Sequence, residues 1–234
     1  MQEITKILRL ALVFGLLTAA AGCTITETNT DDNPIMGAIL KLLPFDSTDK
    51  RIDMIEKISS EDADLRREGV KMLGQGEAPN WTTTHELLAL IAENDPEPQV
   101  RATAIEVFAD IDNHQEFAEV YRLAAADPSP IVRMACLRRL SRRNDNDTLN
   151  LLIDILKNDP ERMIRTETAV LIGKYPSRKA LDALIRALAE DDEFGVWYRS
   201  RESLKKITGR DFEYNHQAWR QWFNSQDNPF IDKG

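Results

Sequence analysis

The sequence is poor in the residues that mark several structural classes. Its 234 residues include only two cysteines, Cys23 and Cys136, so a disulfide framework is excluded if Cys23 has another use. Glycine and proline number 10 each, too few for a low-complexity or collagen-like chain. Valine and tyrosine are sparse, whereas alanine, leucine, arginine and glutamate are abundant. This composition favours helices over strands.

Basic residues are outnumbered by acidic ones. The sequence has 30 lysines and arginines against 39 aspartates and glutamates, a formal net charge of −9. An acidic surface repels a phosphate backbone, so we expect no binding of nucleic acid. The glycine-rich phosphate-binding motifs and the serine-hydrolase motif G-x-S-x-G are also missing. These absences favour a binding role over a catalytic one.

The first 22 residues have the layout of a bacterial export signal. Lys6 and Arg9 precede an apolar run over residues 10–17, and small residues fill positions 18–22. The run is too short to cross a bilayer as a helix and has the length of a signal-peptide core. We therefore predict a signal peptide over residues 1–22. Its removal leaves 28 basic and 38 acidic residues, a net charge of −10.

The predicted cleavage point resembles the lipobox of bacterial lipoproteins. It reads Ala20-Ala21-Gly22-Cys23, with alanine where that motif usually has leucine. The resemblance implies that Cys23 becomes the first mature residue and carries a diacylglyceryl thioether, usually with a further amide-linked chain such as palmitate. Two or more acyl chains anchor a protein stably where one does not. The alternative is an ordinary signal peptide, with Cys23 incidental.

Residues 23–33 are polar and acidic and lack hydrophobic periodicity, which predicts a flexible tether. Position 24 is threonine, whereas the inner-membrane retention signal of enteric bacteria has aspartate there. This difference favours the outer membrane. We expect the domain to lie in the periplasm, lipid-anchored to a membrane of the cell envelope.

The remaining sequence contains a repeat with an interval of 32 residues. Each copy has an Asp-Pro pair, then a β-branched residue followed by arginine, then a small and a large residue at four-residue steps. Steps of four place the β-branched, small and large positions on one helical face. Three copies keep the register, and looser copies begin at Leu65-Arg66 and Val196-Trp197. The full copies are Asp95-Pro96, Val100, Arg101, Ala104, Phe108; Asp127-Pro128, Val132, Arg133, Cys136, Leu140; and Asp159-Pro160, Ile164, Arg165, Thr168, Ile172.

A second apolar-periodic segment precedes each of these helices. Each repeat is therefore predicted as helix A, a turn and helix B, with the aspartate as N-cap of helix B and the proline in its first turn. A longer loop is expected over residues 76–84. The pattern resembles the HEAT repeats, in the short PBS-lyase-type form of bacteria, as five helix pairs over residues 47–209. This resemblance implies an all-α fold, a right-handed α-α superhelix.

Both ends of the array are predicted to be covered. Residues 34–46 contain a short helix over residues 34–43, interpreted as an N-terminal cap, with a membrane-surface helix as the alternative. Residues 210–234 contain a helix over residues 215–223, in which Trp219 and Trp222 are expected to close the last pair. An exposed aromatic anchor is the alternative. Residues 208–223 also resemble a terminal element of HEAT proteins from planctomycete-type bacteria.

Two groups of arginines are candidate functional residues. The first occupies one repeat position, and the HEAT resemblance implies that each member pairs with the turn aspartate of a neighbouring pair. We call it the arginine ladder: Arg66, Arg101, Arg133 and Arg165. The second group follows Arg133 in the sequence and, together with it, spans about three helical turns. It makes a local positive patch on an acidic chain. This candidate binding patch comprises Arg138, Arg139, Arg142 and Arg143. Because helix B lines the concave binding face in this family, the patch is expected there, with a solvated face as the alternative.

No catalytic or metal site is predicted, and we expect no cofactor. His85, His114 and His216 stand in different repeats without a second ligand at helical spacing. His85 and Glu86 resemble one His-Glu pair of a HEAT-fold iron hydroxylase, but that family has several such pairs. Cys136 occupies the small position of a helix B, which favours a buried apolar role over a nucleophile.

These features predict a non-catalytic, membrane-tethered scaffold that binds another envelope protein through its concave surface. One alternative is a HEAT-like lyase or an accessory protein of another enzyme, with the groove holding a substrate. The lyases of this kind that attach tetrapyrroles are cytoplasmic, unlike an exported protein. The other alternative is a structural envelope component whose repeats self-associate.

Overall fold

The computed structural model of the protein describes residues 49–75, 81–111, 117–227 and 229–230. The predicted signal peptide, Cys23, the tether and the helix over residues 34–43 lie outside the described residues, as does His114. Within the described ranges, no helix is both long enough and apolar enough to cross a membrane.

The described residues form eleven helices and no strand. The first ten alternate as helix A and helix B of five pairs, and the eleventh follows the last pair. The chain divides into two compact bodies, Met1–Ala124 and Ala125–Gly234. The helices are α1 (Asp49–Ile58), α2 (Ala63–Gln75), α3 (Trp81–Asn94), α4 (Pro98–Ile111), α5 (Phe117–Ala125), α6 (Pro130–Leu140), α7 (Asn146–Asn158), α8 (Arg162–Ile172), α9 (Arg178–Glu190), α10 (Phe194–Thr208) and α11 (His216–Ser225).

Within each body, helices of successive pairs pack side by side. In the N-terminal body, α2 packs against α1 and α4, and α3 packs against α4. In the C-terminal body, α8 packs against α6 and α10, so helix B lies beside helix B. Helices A do the same, since α7 packs against α9. This layered packing of helix pairs confirms the predicted all-α, HEAT-type repeat fold.

The predicted register of helix B accounts for much of the core. In the second to fifth pairs, the β-branched, small and large positions are all buried. These residues are Val100, Ala104, Phe108, Val132, Cys136, Leu140, Ile164, Thr168, Ile172, Val196, Ser200 and Leu204. In α2, Gly69 and Leu73 are buried, but Leu65 is 41% exposed. Burial of this apolar face determines which side of each helix B points inward.

Two glycines allow close contacts between helices. A Cβ atom on Gly69 would lie 2.7 Å from the backbone nitrogen of Ile58, so α1 and α2 can approach this closely because position 69 has no side chain. Gly173, which follows α8, faces Ser203 of α10, whose Oγ would lie 2.5 Å from an added Cβ. The Ser203 hydroxyl donates to the carbonyl of Ala169 at 2.8 Å, so a polar bond crosses the same contact.

The turn aspartate has a different role from the predicted one. Asp159 is the C-cap of α7, and its carboxylate accepts the N–H of Glu161 at 2.8 Å. The N-caps of α8 and α6 are Glu161 and Ser129, so Pro160 and Pro128 precede helix B instead of lying in its first turn. The physical reason is that a residue before proline avoids the helical conformation, and Asp159 is extended, with φ −66° and ψ 129°. The aspartate therefore ends helix A.

The loop between the first two pairs is shorter than predicted. Residues 81–84, assigned to that loop from the sequence, form the first turn of α3, and residues 76–80 lie outside the described residues. Thr84 is fully buried, so the start of this helix belongs to the core. Two of the helices A begin at a capping side chain, because Asp145 and Ser177 accept the N–H groups of Thr148 and Ala180.

The last helix, α11, packs against α9. Trp219 is fully buried and Phe223 is 7% exposed, whereas Trp222 is half-buried. The ring of Phe212 meets Trp219 edge to face, with centroids 5.0 Å apart. The guanidinium of Arg178, at the start of α9, lies 4.3 Å from the centre of the Phe223 ring. These contacts support the interpretation of α11 as a cap on the last pair.

The connection to this helix is held through its backbone. Glu213 adopts the left-handed conformation, with φ 53°, which costs energy for a residue with a side chain. Its N–H donates to Asp211 at 2.9 Å, and its carbonyl accepts the indole N–H of Trp219 at 3.0 Å. Trp219 therefore stabilises both the packing of the last helix and the turn that precedes it.

We expect Trp219→Ala to destabilise the C-terminal body by about 3–5 kcal/mol, the usual cost of truncating a buried aromatic side chain. Deletion of residues 210–234 should have at least the same effect and cause aggregation, because it exposes apolar surface of the last pair. Chemical denaturation followed by circular dichroism measures both changes.

The matched control is Gln221→Ala, since Gln221 lies in the same helix and is exposed. It should change stability by less than about 0.5 kcal/mol. A deletion variant that stays soluble and equally stable would show that α11 is not a cap.

Candidate functional site

Three of the ladder arginines contact two successive turns, and Arg133 shows the arrangement in full. Its Nη1 donates to the carbonyls of Asp127 and Pro128 in its own turn, at 2.8 and 3.2 Å. Its Nε and Nη2 donate to the carboxylate of Asp159 in the next turn, at 2.8 and 3.1 Å. The side chains of Arg133 and Asp159 are only 8% and 3% exposed. A planar guanidinium suits this site because it can serve both partners without bending.

The same geometry recurs within both bodies. Arg66 donates to the carbonyls of Ser60 and Glu61 and, at 2.8 and 3.0 Å, to the carboxylate of Asp95. Arg165 makes the equivalent pair with Asp191, at 2.7 and 3.1 Å. Hydrogen bonding to these carboxylates raises the pKa of both arginines.

The remaining ladder residue, Arg101, is buried. Its Nη1 donates to the carbonyls of Asp95 and Pro96 at 2.8 and 3.3 Å. The turn aspartates also bond their own turns, since Asp95, Asp127 and Asp191 each accept the N–H two residues on. The carboxylates of the turns are therefore engaged in structural hydrogen bonds.

Sequence reasoning missed how the ladder ends. Asp191 lies one 32-residue interval after Asp159. No proline follows Asp191, so the Asp-Pro pair that identifies the other turns in the sequence is missing here. In the fifth pair, Trp197 replaces arginine, and its Nε1 donates to the carbonyl of Asp191 at 2.7 Å, as an arginine Nη1 would. Arg201, one helical turn later, makes the carboxylate pair instead, donating to Asp211 at 2.9 and 2.6 Å. This bond lowers the pKa of Asp211.

A groove of about 790 Å³ lies along the three helices B of the C-terminal body, α6, α8 and α10. We call it the helix-B groove. Four arginines and two glutamates line it together with apolar side chains, and Met163 is 69% exposed. Its lining residues are Met134, Leu137, Arg138, Ser141, Arg142, Arg162, Met163, Thr166, Glu167, Glu193, Gly195 and Arg199.

The predicted arginine patch is divided by this groove. Arg138 and Arg142 are four residues apart, share one side of the chain and line the groove. Arg139 and Arg143 are not among its lining residues. The Nε of Arg143 pairs with Asp145, the N-cap of α7, at 3.0 Å. Two residues of the patch therefore face the groove, and Arg143 supports the start of the next helix.

The pair between Arg143 and Asp145 is part of a small polar network. Burial alone would raise the pKa of Asp145, but hydrogen bonds from the N–H and hydroxyl of Thr148 and the charge of Arg143 lower it. The hydroxyl of Tyr175 donates to the carbonyl of Arg143 at 2.9 Å. Desolvation raises the pKa of Tyr175 to about 12, so this hydroxyl keeps its proton. The network fixes the connection between α6 and α7.

The other candidate residues do not form a reactive site. Cys136 is fully buried, and burial raises the pKa of its thiol far above the usual range, so it is not a thiolate nucleophile. His85 packs edge to face against Phe108, with ring centroids 5.2 Å apart. Among the residues that the structure describes, no three histidines, cysteines or carboxylates cluster as metal ligands would.

The groove has the chemistry of a binding surface. Its two hydroxyl groups, on Ser141 and Thr166, donate to the carbonyls of Arg138 and Arg162 in the same helical segments, at 2.6 and 2.7 Å. Both hydroxyl groups are therefore engaged with backbone carbonyls of their own segments. Guanidinium groups bind carboxylates through paired hydrogen bonds, and methionine side chains adapt to apolar partners. The arrangement can therefore hold a partner that is anionic and partly apolar.

Comparison with known proteins agrees with the topology. The family model for HEAT repeats matches residues 84–172 and, with overlap, residues 118–205. These matches together cover residues 84–205, which is more than half of the chain. No curated protein matches the sequence.

We expect Arg133→Ala to destabilise the protein by about 3 kcal/mol, because it leaves the buried carboxylate of Asp159 without its charged partner. Arg133→Lys should recover only part of this loss, since one ammonium cannot replace the four hydrogen bonds of the guanidinium. Equilibrium denaturation in urea measures both variants.

Arg142→Ala is the contrasting variant, because Arg142 is exposed in the groove. We expect it to change stability by less than about 0.5 kcal/mol. Equal, small losses for Arg133→Ala and Arg142→Ala would contradict a stabilising role for the arginine ladder.

Proposed function

We propose that this chain, which belongs to the family of HEAT repeat proteins, is a non-catalytic scaffold that binds another envelope protein through its helix-B groove. In this proposal a lipid on Cys23 holds the scaffold at a bacterial membrane. HEAT repeats commonly serve as scaffolds for protein interactions, because stacked helix pairs present an extended surface. The family therefore supports binding as the role of the array.

The composition of the helix-B groove is the observation that carries the proposal. All four basic residues of its lining are arginines, and two of its apolar residues are methionines. Arginine and methionine are enriched in protein interfaces, whereas lysine is depleted. Met163, which is 69% exposed beside these arginines, offers a partner an adaptable apolar contact.

The proposed anchor depends on the sequence before the described residues. Ala20, Ala21, Gly22 and Cys23 follow an apolar segment of signal-peptide length, and an acidic segment separates them from the first helix pair. A tether of about ten residues could reach roughly 33 Å, which is enough for the repeats to engage a partner away from the lipid surface. Anchoring at the outer membrane, with the repeats in the periplasm, agrees with Thr24 at the second mature position.

Replacement of Cys23 by serine should abolish acylation and leave the protein either uncleaved or released as a soluble protein. Intact-mass measurement of the purified wild type should show the mass of acyl chains on a chain that begins at Cys23. Cys136→Ser controls for the loss of a thiol elsewhere and should retain the lipid. A wild-type protein without any acyl mass would refute the anchor, while the binding role would stand.

Purification from detergent-solubilised envelopes should retain a stoichiometric protein partner with the wild type. The double variant Arg138→Ala and Arg142→Ala should lose that partner, because both side chains line the groove. Arg186→Ala is the matched control, since Arg186 is an exposed arginine of α9, a helix A, and is not among the lining residues. Partner retention by the groove variant, or recovery of the chain alone as homo-oligomers, would contradict the proposal.

A further inference from the structure

We propose that the occupant of the helix-B groove is an acidic protein segment in which carboxylates at every third position are separated by apolar side chains. This inference depends on the proposed function, in which the groove is the binding surface, and it adds the chemistry of the partner. It is carried by the charge of the groove, by the positions of two arginines that the sequence pattern did not single out, and by the apolar residues between them.

The charge of the groove is opposite to that of the chain. Its lining has four arginines and two glutamates, whereas the whole sequence has a net charge of −9. A local reversal of this kind attracts an anionic partner. The four arginines are Arg138, Arg142, Arg162 and Arg199.

Packing of the helices brings these arginines together from distant parts of the sequence. Arg162 is the first residue of α8, and Arg199 lies in the second turn of α10. Because α8 packs against both α6 and α10, the groove receives arginines from three adjacent helices. Packed helices are about 8–10 Å apart, close to the length of one three-residue turn of a polyproline II segment. Carboxylates at every third position of such a segment lie on one side of it and would therefore match the arginines.

The ion pair between Arg162 and Glu193 in the groove is weak enough for a partner carboxylate to replace Glu193. The Nη1 of Arg162 lies 3.8 Å from Glu193, and the two side chains are 71% and 39% exposed. An exposed pair of this length contributes little to stability. A carboxylate from a partner can therefore take the guanidinium of Arg162 without disrupting the fold. The ladder arginines differ in this respect, since their carboxylate partners are buried.

The apolar part of the proposed occupant follows from the methionines and from the aromatic residues next to the groove in sequence. Met134, Leu137 and Met163 lie among the arginines in the lining. Phe194 and Tyr198, which are 60% and 41% exposed, stand next to the lining residues Gly195 and Arg199. Exposed aromatic side chains beside arginines are typical of the residues that dominate binding energy in protein interfaces.

The same residues disfavour a nucleic acid as the occupant. Glu167 and Glu193 would repel a continuous phosphate backbone, as would the acidic remainder of the chain. A protein segment avoids this conflict, because its charged residues can be spaced and its apolar residues can contact Met163. Nucleic acid and self-association are therefore outcomes that the experiment must separate.

The experiment measures binding of labelled peptides to the purified mature protein by fluorescence anisotropy. The probe is a peptide in which glutamates occupy every third position with leucines between them. Two comparison probes are the same peptide with glutamine in place of glutamate and a single-stranded oligonucleotide of the same charge. We expect binding of the acidic peptide to be at least about tenfold tighter than that of the glutamine peptide, as loss of one or two charged hydrogen bonds implies.

Charge reversal at Arg162 and Arg199 provides the decisive variant. Arg162→Glu with Arg199→Glu should weaken the acidic peptide by about tenfold or more, and a lysine version of the peptide should bind this variant better than it binds the wild type. Arg186→Glu, on a helix A, is the control and should leave both affinities unchanged. Thermal denaturation confirms that all variants are folded.

Each contrary result has a defined meaning. Equal binding of the glutamate and glutamine peptides, or tighter binding of the oligonucleotide, would overturn the proposal. Dimers of the wild type in analytical ultracentrifugation, absent from the variant with Arg162→Glu and Arg199→Glu, would identify a second copy of the chain as the occupant. This result would also overturn the proposal. If the envelope partner depends on Arg138 and Arg142 but the acidic peptide does not bind, the scaffold function stands and the proposed chemistry of the partner is wrong.

Discussion

The bond from one guanidinium to two successive turns is the interaction on which the repeat array depends. In Arg133, the carbonyls of one turn and the carboxylate of the next share the same planar group. The turns are where backbone polar groups lack helical partners, so they need donors from elsewhere. A buried arginine supplies these donors and an aspartate neutralises its charge, which makes the pair acceptable inside the protein. A rigid planar guanidinium thus links successive helix pairs at their turns, and apolar packing holds the helices between these links.

The end of the array shows what happens when one residue no longer serves both turns. Trp197 provides only a single donor, to the carbonyl of Asp191, and it has no group that could hold a carboxylate. Arg201 provides the second function, but it reaches Asp211, which leads into the cap and not into another pair. The same separation of roles distinguishes the ladder from the groove. Arginines with buried carboxylate partners hold the fold, and the arginines that line the helix-B groove are exposed at the surface.

Much of the fold could be predicted because it depends on periodicity within one helix. The burial of Val132, Cys136 and Leu140 follows from four-residue spacing alone. The role of Asp159 could not be read in this way, because an aspartate before a proline can begin one helix or end another, and only the backbone conformation decides. Asp191 was overlooked because it lacks the proline, although the 32-residue interval pointed to it. Arg162 and Arg199 could not be grouped with Arg138 and Arg142, since the packing of α8 between α6 and α10 brings them together.

Trp197 stands at the repeat position that arginine occupies in the other pairs, so the fifth pair differs from the pairs before it. A pair that carries the arginine can be followed by any pair that offers a turn aspartate, so internal pairs are interchangeable in principle and the array could lengthen or shorten by whole pairs. The pair that carries Trp197 and Arg201 offers no such continuation and accepts only the short connection to the cap. Duplication or loss of whole pairs upstream of it would therefore leave the connection to the cap unchanged.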